Sequence, residues 1–292
     1  MSKQRIPESE LILNSDGSIY HLALKPGEIA NTIILVGDPQ RVERVSAHFD
    51  TIELTRAHRE FCTHTGSLRG KRLSVVSTGI GTDNIDIVFN EIDALVNVDF
   101  ETRQIKDKLT TLDFIRVGTS GALQPDVPVD SLLASVTAIG FDNLPHFYRS
   151  RDLMDRGFID AFVHHTTWDE KRSEPYVLHA DPRLQEQFKD RGLIAGCTTT
   201  NVGFYGPQGR VLRLPLNQED INEKIASFRY KDIKITNLEM ETAGIYAMAQ
   251  LLGHRAISLN AILANRPNGT FSEQATHTVD RLIDCTLQTL CP

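Results

Sequence analysis

The sequence predicts a single α/β domain with a central mixed, mostly parallel twisted sheet and helices on both faces. Short apolar runs typical of buried strands alternate with segments whose apolar residues recur at helical spacing. Several apolar runs end in glycine-rich turns, as strands of such sheets commonly do. Ligands of these folds gather beyond the carboxyl ends of the strands, so these turns are expected to hold functional residues.

The elements follow one another in a regular order along the chain. The first strand, TIILV, stops at GDPQR, where Gly37 can turn, Asp38 can cap a helix and Pro39 suits its first position. Apolar runs bounded by turns indicate the later strands, and apolar helical spacing indicates the helices. The predicted strands are residues 32–36, 73–77, 114–117, 131–139, 193–200, 234–239 and 255–263. The predicted helices are residues 40–49, 85–98, 242–252 and 272–290.

Two segments are less regular than the rest. Residues 99–113 are polar and look like an insertion, and residues 143–175 are aromatic, contain histidines and are weakly patterned. No internal repeat, linker or change of composition divides the chain. We therefore expect a polar leader over residues 1–19, followed by one domain over residues 20–292.

The composition limits the possible functions. The chain has 292 residues and a formal net charge of −7, which argues against binding to nucleic acid or to anionic lipid. No stretch has the length of a membrane span, and the N-terminus lacks the apolar run of a signal peptide. The four cysteines are scattered, and neither they nor the histidines have metal-ligand spacing. These features favour a cytoplasmic protein with no clear metal motif.

Three arginines stand where an anion site would need them. Arg41 lies at a predicted helix start, Arg59 in the polar segment RAHRE, and Arg116 one residue before a glycine turn predicted at Gly118. A helix start offers free amides, and a guanidinium matches two phosphate oxygens. A surface ion pair would explain each arginine alone, except Arg116. Its charge inside an apolar strand must be paired or serve a site.

The motif NLEMETAG contains two acids where a strand gives way to a helix. Glu239 and Glu241 flank Met240 at this point. Helix capping would explain one acid near a helix start. Two carboxylates beside a thioether are better suited to a sugar, because carboxylates accept hydrogen bonds from hydroxyls and the thioether packs against the ring.

The glycine-rich loop GFYGPQGR contains groups that could recognise a heterocyclic base. Phe204 could stack on a ring, while Gln208 and Arg210 offer an amide and a fork of donors to the edge of a pyrimidine. An ordinary solvated turn is the alternative interpretation of this loop.

Together these motifs resemble those of the nucleoside phosphorylase family, most closely its uridine phosphorylase branch. The matching segments are YHLAL, VGDPQRVERV, AHREF, STGIG, FIRVGTSGALQP, GFYGPQGR, NLEMETA and ANR. They occur in the family order from about Tyr20 to the C-terminal helix. The resemblance implies a phosphorylase/hydrolase-like fold and a pentosyltransferase that cleaves uridine in pyrimidine nucleoside salvage. It implies inorganic phosphate as co-substrate and no other cofactor, apart from a possible potassium ion.

The resemblance also implies roles for individual residues. Phosphate would be held by Gly37, Arg41, Arg59, Arg116 and Thr119. Ribose would be bound by His21, Glu239, Met240 and Glu241. The base would be bound by Phe204, Gln208, Arg210 and Arg266. Arg41, Arg116 and Glu241 are the expected catalytic residues. Because the family takes Arg59 and His21 from a neighbouring subunit, a homo-oligomer is expected, either a dimer or a hexamer built of dimers.

Two positions refine what the resemblance implies. The family binds potassium between paired subunits through a glutamate, a backbone carbonyl and a serine. Here Glu60 and Ile80 match, but Asn84 replaces the serine. After the last strand, purine-specific relatives carry a serine–aspartate pair, whereas this chain has Asn265 and Arg266, which is the pyrimidine pattern.

The sequence leaves three functions open. Uridine phosphorolysis is favoured, and it would proceed by positioning and electrostatic stabilisation without a protein nucleophile. A purine or broad-specificity nucleoside phosphorylase is the first alternative. A non-catalytic nucleoside-binding protein is the second, because a fold alone does not fix function.

Overall fold

A computed structural model describes residues 4–292 of the chain. The strands are β1 (Thr32–Val36), β2 (Thr51–His58), β3 (Phe61–Leu68), β4 (Lys71–Ser77), β5 (Val98–Asp99), β6 (Gln104–Ile105), β7 (Asp113–Ala122), β8 (Leu132–Gly140), β9 (Tyr176–His179), β10 (Ile194–Thr200), β11 (Arg229–Tyr230), β12 (Ile233–Glu239), β13 (Arg255–Asn265) and β14 (Thr270–Phe271). The helices are α1 (Pro39–Ser46), α2 (Thr82–Asn97), α3 (Arg156–Thr166), α4 (Pro182–Phe188), α5 (Ile221–Ser227), α6 (Thr242–Leu252) and α7 (Ala275–Leu290). This alternation confirms the predicted α/β class.

The main sheet is mixed, and its strands run in two opposed sets. Its order is β11-β12-β10-β8-β13-β7-β1-β4-β3-β2, with β9 on β8 and β14 on β13. The set β4, β1, β7 and β13 is internally parallel, and so is the set β8, β10 and β12. The two sets meet in antiparallel register where β8 pairs with β13.

A second contact between the two sets closes part of the sheet. The last residues of β12 pair antiparallel with the last residues of β7, joining Asn237 to Ala122 and Leu238 to Gly121. The strands β7, β13, β8, β10 and β12 therefore form a ring. At this seam the carboxyl ends of two oppositely directed strands lie side by side.

The helices cover the sheet with apolar faces. Helix α6 packs against β8, β10 and β13 and against α2, while α7 packs against β7 and β13 and α1 against β3 and β4. All five residues of β1 are buried, as expected for a central strand covered on both sides. No helix within residues 4–292 is long and apolar enough to cross a membrane.

The prediction of a turn at Gly118 is wrong. Strand β7 continues through this glycine to Ala122, and β13 stays paired with it throughout. The glycine is needed for a different reason: a side chain here would collide with the Arg116 guanidinium, which folds back over this position. The residue therefore makes room within a strand.

Residues 143–175 contain a helix that the weak pattern did not predict. In α3 the Asp155 carboxylate caps the first turn by accepting a hydrogen bond from the Phe158 amide at 3.0 Å. Phe158 and Phe162 are buried, and Phe162 packs with Phe141 and Trp168 in an aromatic cluster. The cap and the spacing of the two phenylalanines were the available signals for this helix.

The polar leader is held by the segment predicted as an insertion. Arg103 lies between β5 and β6, and its guanidinium donates to the carbonyls of Ile6, at 3.0 Å, Pro7, at 3.2 Å, and Leu11. These bonds place the Leu11 side chain in the main hydrophobic core, where it is 6% exposed. The leader is thus packed against the domain through a buried apolar residue.

We expect Leu11→Ala to lower the free energy of unfolding by about 2 kcal/mol or more, because it removes buried apolar atoms and leaves a cavity. The neighbouring Ile12 is 45% exposed and provides the matched control. Ile12→Ala should change the free energy of unfolding by no more than about 0.5 kcal/mol. Urea denaturation of both variants measures the two values. Equal losses would show that the leader does not pack as described.

Candidate active site

A cavity of about 790 Å³ opens at the seam where the carboxyl ends of β7 and β12 lie beside that of β1. This volume is typical of sites for small ligands. Its lining includes Gly37, Arg41, Arg116, Thr119, Phe204, Gln208, Arg210, Glu239, Met240 and Glu241. It also includes the three residues of the possible potassium site, Glu60, Ile80 and Asn84. The fold therefore brings together residues that lie up to two hundred positions apart in the sequence.

Arg116 is buried and fully engaged by the protein at both terminal nitrogens. Its Nη2 donates to Glu241 Oε2 at 2.6 Å and lies 3.1 Å from Glu239 Oε2. Its Nη1 donates to Asn260 Oδ1 at 2.9 Å. Burial works against the positive charge, but the two carboxylates outweigh it and raise the pKa of Arg116. The sequence analysis expected Arg116 to be paired or to serve a site, and the structure pairs it with two acids that line the cavity.

Glu239 is held at the start of α6 by a set of hydrogen bonds. Its carboxylate accepts from Thr200 Oγ1 at 2.7 Å, from the Glu241 amide at 2.9 Å, and from the Thr242 amide at 2.9 and 3.1 Å. These amides are free at a helix start, so the carboxylate satisfies them as a cap does. The capping interpretation of this acid therefore agrees with its contacts.

Glu241 has fewer donors than Glu239. Its Oε1 accepts from the Gly81 amide at 2.9 Å, and Oε2 faces Arg116. Burial raises the pKa of Glu241; Arg116 opposes this shift, and the nearby Glu239 carboxylate adds to it. One guanidinium cannot fully stabilise two buried carboxylates, and Glu239 also has the amides. Glu241 is consequently the acid that is better able to accept a new hydrogen bond from a ligand.

Arg41 is the guanidinium with spare donor capacity. Asp38 caps α1 by accepting from the Gln40 amide at 2.9 Å, and this cap aims the first turn of α1 at the cavity. Arg41 Nη1 donates to the Val117 carbonyl at 3.3 Å, but its buried Nε has no hydrogen-bond partner among the described residues. Burial, followed by the charge of Arg116, lowers the pKa of Arg41. A buried donor without an acceptor is unfavourable, and an anion in the cavity would satisfy it.

The glycine-rich loop contributes Phe204, Gln208 and Arg210 to the cavity lining. Arg210 Nη1 donates to the Phe204 carbonyl at 2.6 Å and to Gln208 Oε1, and its guanidinium carbon lies 3.8 Å from the centre of the Phe204 ring. Arg266 does not line the cavity but donates to the Gly209 carbonyl at 3.2 Å and so braces the loop. Burial, followed by the charge of Arg266, lowers the pKa of Arg210. The four predicted base-binding residues therefore lie together.

His21 and Arg59 do not line the cavity of their own chain. His21 Nδ1 lies 2.6 Å from Glu91 Oε1. Arg59 occupies the turn between β2 and β3 with φ of 55° and is exposed, 5.5 Å from the centre of the Tyr20 ring. Both side chains contact the Tyr20 ring and lie outside the cavity lining, although Arg59 directly precedes Glu60, which lines the cavity.

The donors at the possible potassium site fit this ion poorly within one chain. Asn84 Nδ2 donates to Glu60 Oε1 at 3.4 Å, and the same nitrogen sits where a side chain on Gly79 would be. A potassium ion prefers oxygen ligands, but here an N–H group faces the carboxylate. Among residues 4–292 no group of three or more His, Cys, Asp or Glu side chains is arranged to hold a metal ion.

The sequence analysis missed residues that support or line the site. Asn260 and Ser258 lie in an apolar strand and contact Arg116, at 2.9 and 3.4 Å respectively. Their polarity inside β13 was a signal, since buried polar groups need partners. Phe271 also lines the cavity, but the sequence placed it just before a helix, whereas it belongs to the short strand β14.

Comparisons with known proteins agree with this geometry. Residues 31–289 match the phosphorylase superfamily. The chain is 28% identical over 276 residues to a uridine phosphorylase of Thermococcus kodakarensis, covering 92% of this chain and 86% of that protein. It is also 28% identical over 273 residues to a DeoD-type purine nucleoside phosphorylase of Bacillus cereus, covering 91% and 96%. Similarity alone therefore does not separate pyrimidine from purine relatives.

A solved structure is similar over nearly the whole chain. It is a Trypanosoma brucei nucleoside phosphorylase, described as showing uridine phosphorylase activity. The alignment has a TM-score of 0.83 at 28% identity and covers 96% of this chain and 99% of that one. The ring of strands and the helices around it are therefore those of a nucleoside phosphorylase structure.

The raised pKa of Glu241 gives a testable dependence of stability on pH. A carboxyl group whose pKa is raised by folding stabilises the folded state fully at pH values below its unfolded-state pKa. This stabilisation is lost as the pH rises through its folded-state pKa. Glu241→Gln cannot ionise, so its free energy of unfolding should improve relative to the unsubstituted chain as the pH rises above about 4.5. Urea denaturation at several pH values measures this difference. Met240→Leu, a neighbouring change without a titratable group, is the control. A difference for Glu241→Gln that stayed constant with pH would contradict the assignment.

Proposed function

The chain belongs to the phosphorylase superfamily, and on that premise we propose that it is a uridine phosphorylase acting in pyrimidine nucleoside salvage. As a nucleoside phosphorylase it is a pentosyltransferase, which converts a nucleoside and phosphate into a free base and ribose 1-phosphate. One observation carries the proposal. A single cavity is lined by an anion donor (Arg41), a carboxylate that can accept from a sugar (Glu241) and the amide and guanidinium of the glycine-rich loop (Gln208 and Arg210).

The phosphate end is supported by unsatisfied donor capacity. The buried Nε of Arg41 lacks an acceptor, and Gly37 and Thr119 also line the cavity. Both terminal nitrogens of Arg116 hold protein groups, and its charge is matched by two carboxylates. In our proposal Arg41 contacts phosphate directly, and Arg116 keeps Glu241 in place.

The sugar end is supported by the different environments of the two acids. Glu239 is engaged by the start of α6, so we propose that Glu241 accepts hydrogen bonds from the ribose hydroxyls. Met240, half-buried on the cavity wall, would pack against the sugar ring. In this proposal Glu239 stabilises the start of α6, and Glu241 binds the ribose.

The base end supports a pyrimidine over a purine. Gln208 is buried and presents an amide, Arg210 is pre-positioned on the Phe204 ring, and Arg266 braces their loop. The end of β13 carries Asn265, followed by Arg266, rather than an acid that could protonate a purine. A uracil leaving group does not require such an acid, because its negative charge is delocalised over two carbonyl groups.

The proposed mechanism needs no protein nucleophile. The glycosidic bond stretches first, leaving positive charge on the sugar and negative charge on the base. Phosphate held at Arg41 then attacks the anomeric carbon from the face opposite the base, while Arg210 stabilises the departing uracil. Catalysis is therefore positioning combined with preorganised charge. The buried Glu241 carboxylate helps by facing the positively charged sugar.

A purine or broad-specificity phosphorylase is the second candidate function. It is favoured by the equal identity of the Bacillus cereus purine nucleoside phosphorylase, 28% over 273 residues. A non-catalytic binding protein is a weaker candidate, because the cavity retains both a free anion donor and the paired acids. We also propose that no potassium ion is needed, since Asn84 already donates a hydrogen bond to Glu60.

The deciding experiment is a substrate panel with and without phosphate. We expect phosphate-dependent release of uracil from uridine, with kcat/KM at least about tenfold above that for hypoxanthine release from inosine. The rate should not change when tetramethylammonium replaces potassium. Faster inosine cleavage would favour the second candidate, release of base without phosphate would indicate hydrolysis, and no turnover would overturn the enzyme assignment.

We propose that the active sites are shared within a homo-oligomer built of dimers, with Arg59 and His21 reaching the neighbour's cavity. The support is that neither side chain lines the cavity of its own chain, and that Arg59 is exposed and His21 half-buried. Arg41→Ala and Arg59→Ala should each lower kcat/KM by roughly 10²-fold, the scale of losing one preorganised donor. A random equimolar mixture of the two variants should recover about a quarter of the normal activity. About half of its dimers are mixed, and each mixed dimer regains one of its two sites.

The control for this mixing experiment pairs Arg41→Ala with Arg210→Ala. Both changes lie in the cavity of their own chain, so every site in the mixed dimers remains defective. Activity is measured after subunit exchange under mild denaturation and refolding. If the Arg41→Ala and Arg59→Ala mixture recovers no more activity than the control, each chain is self-sufficient and the shared-site proposal fails.

A further inference from the structure

A second cavity lies beside the candidate active site. It encloses about 750 Å³ between the segment that follows α3, the helix α5 and the segment after the glycine-rich loop. Arg210 lines both cavities, but the other predicted ligands of the first cavity do not line the second. The proposed reaction therefore leaves a cavity of ligand size without a role.

The walls of this second cavity are mostly apolar and include three aromatic rings. Phe141 and Trp168 pack together with ring centres 4.6 Å apart, and Tyr205 also lines the cavity. The outer wall is the segment that carries Leu212 and Leu214, which are 80% and 70% exposed. Contiguous exposed apolar side chains of this size are unusual on a protein surface and commonly mark a binding site.

The lining of the same cavity includes Arg172, Arg210 and Arg213 and no acidic residue. Arg172 lies over the Trp168 ring at 4.9 Å, and Arg213 is exposed. The nearby Asp169 carboxylate is not in the lining and accepts a hydrogen bond from Asn217 at 3.3 Å. Guanidinium groups that have apolar surroundings and no counter-charge attract anions strongly.

We propose that this second cavity binds a planar aromatic anion. The aromatic body would stack between Phe141, Trp168 and Tyr205 and cover the exposed leucines, which removes apolar surface from water. The anionic group would lie between Arg172 and Arg213. A neutral nucleoside would use the aromatic walls but would leave both guanidinium groups unpaired, so the site is distinct from that of the proposed substrate.

A ligand in the second cavity should change the affinity of the first cavity for the base. Arg210 lines both cavities and donates to Gln208 and to the Phe204 carbonyl, so the negative charge of an anion in the second cavity would attract its guanidinium away from these partners. Binding there should therefore weaken binding of the base, and the coupling must be reciprocal. This second step rests on the proposed function, whereas the binding site itself does not.

The chain offers a direct reporter of the second cavity, because Trp168 is its only tryptophan. The probe is anilinonaphthalene sulfonate, an aromatic anion, and phenylnaphthylamine is its neutral counterpart. We expect the sulfonate to bind at one molecule per chain, with energy transfer from Trp168, and at least about tenfold more tightly than the neutral amine. Arg172→Gln and Arg213→Gln should each weaken the sulfonate about tenfold and leave the amine unchanged.

Arg41→Gln is the matched control, since it removes an arginine from the first cavity only. It should leave sulfonate binding unchanged. Equal affinity for the two probes, or sulfonate binding that is insensitive to Arg172→Gln and Arg213→Gln but lost in Arg41→Gln, would overturn the site. For the coupling, the sulfonate should raise the KM for uridine in the unsubstituted chain and not in Arg213→Gln. An unchanged KM overturns the coupling, while a chain without turnover refutes the proposed function and leaves the binding result standing.

Discussion

The interaction on which the site depends is the buried contact of one guanidinium with two carboxylates. Arg116 comes from β7, whereas Glu239 and Glu241 come from the end of β12 and the start of α6. Charges placed in such surroundings must be paired, since an unpaired one would cost several kcal/mol of stability. This requirement holds the ends of two oppositely directed strands together and so fixes the shape of the cavity between them.

The pairing also explains why the two acids differ. A single positive charge faces two negative ones, so the local balance is negative, and the amides at the start of α6 compensate only Glu239. Glu241 is left with the raised pKa and the spare acceptor capacity. A ribose, which brings hydroxyl donors and during cleavage a positive charge, is a ligand that improves this balance. In the proposed function, an anion would supply the acceptor that Arg41 lacks, and a sugar would supply the donors that Glu241 can accept.

Local sequence signals predicted the parts of the fold that local chemistry decides. The cap at Asp38 and the helix from Thr242 to Leu252 were predicted from neighbouring residues alone, and the structure confirms them. The continuation of β7 through Gly118 was not predictable in this way, because it depends on pairing with β13, more than a hundred residues away. The same holds for the pairing of Arg116 with two distant acids. Such contacts arise only when the ring of strands closes.

The architecture separates what relatives share from what distinguishes them. The groups proposed for phosphate and ribose lie on the strand ends and helix starts of the closed ring, where a shift of any one element would disturb the buried charges. The groups proposed for the base lie on a loop that is held by Arg210 and Arg266 and can change without disturbing the ring. Uridine and purine phosphorylases can therefore be equally similar to this chain over their whole length. In our proposal the choice of base depends on this loop and on the residues at the end of β13, so overall identity does not report it.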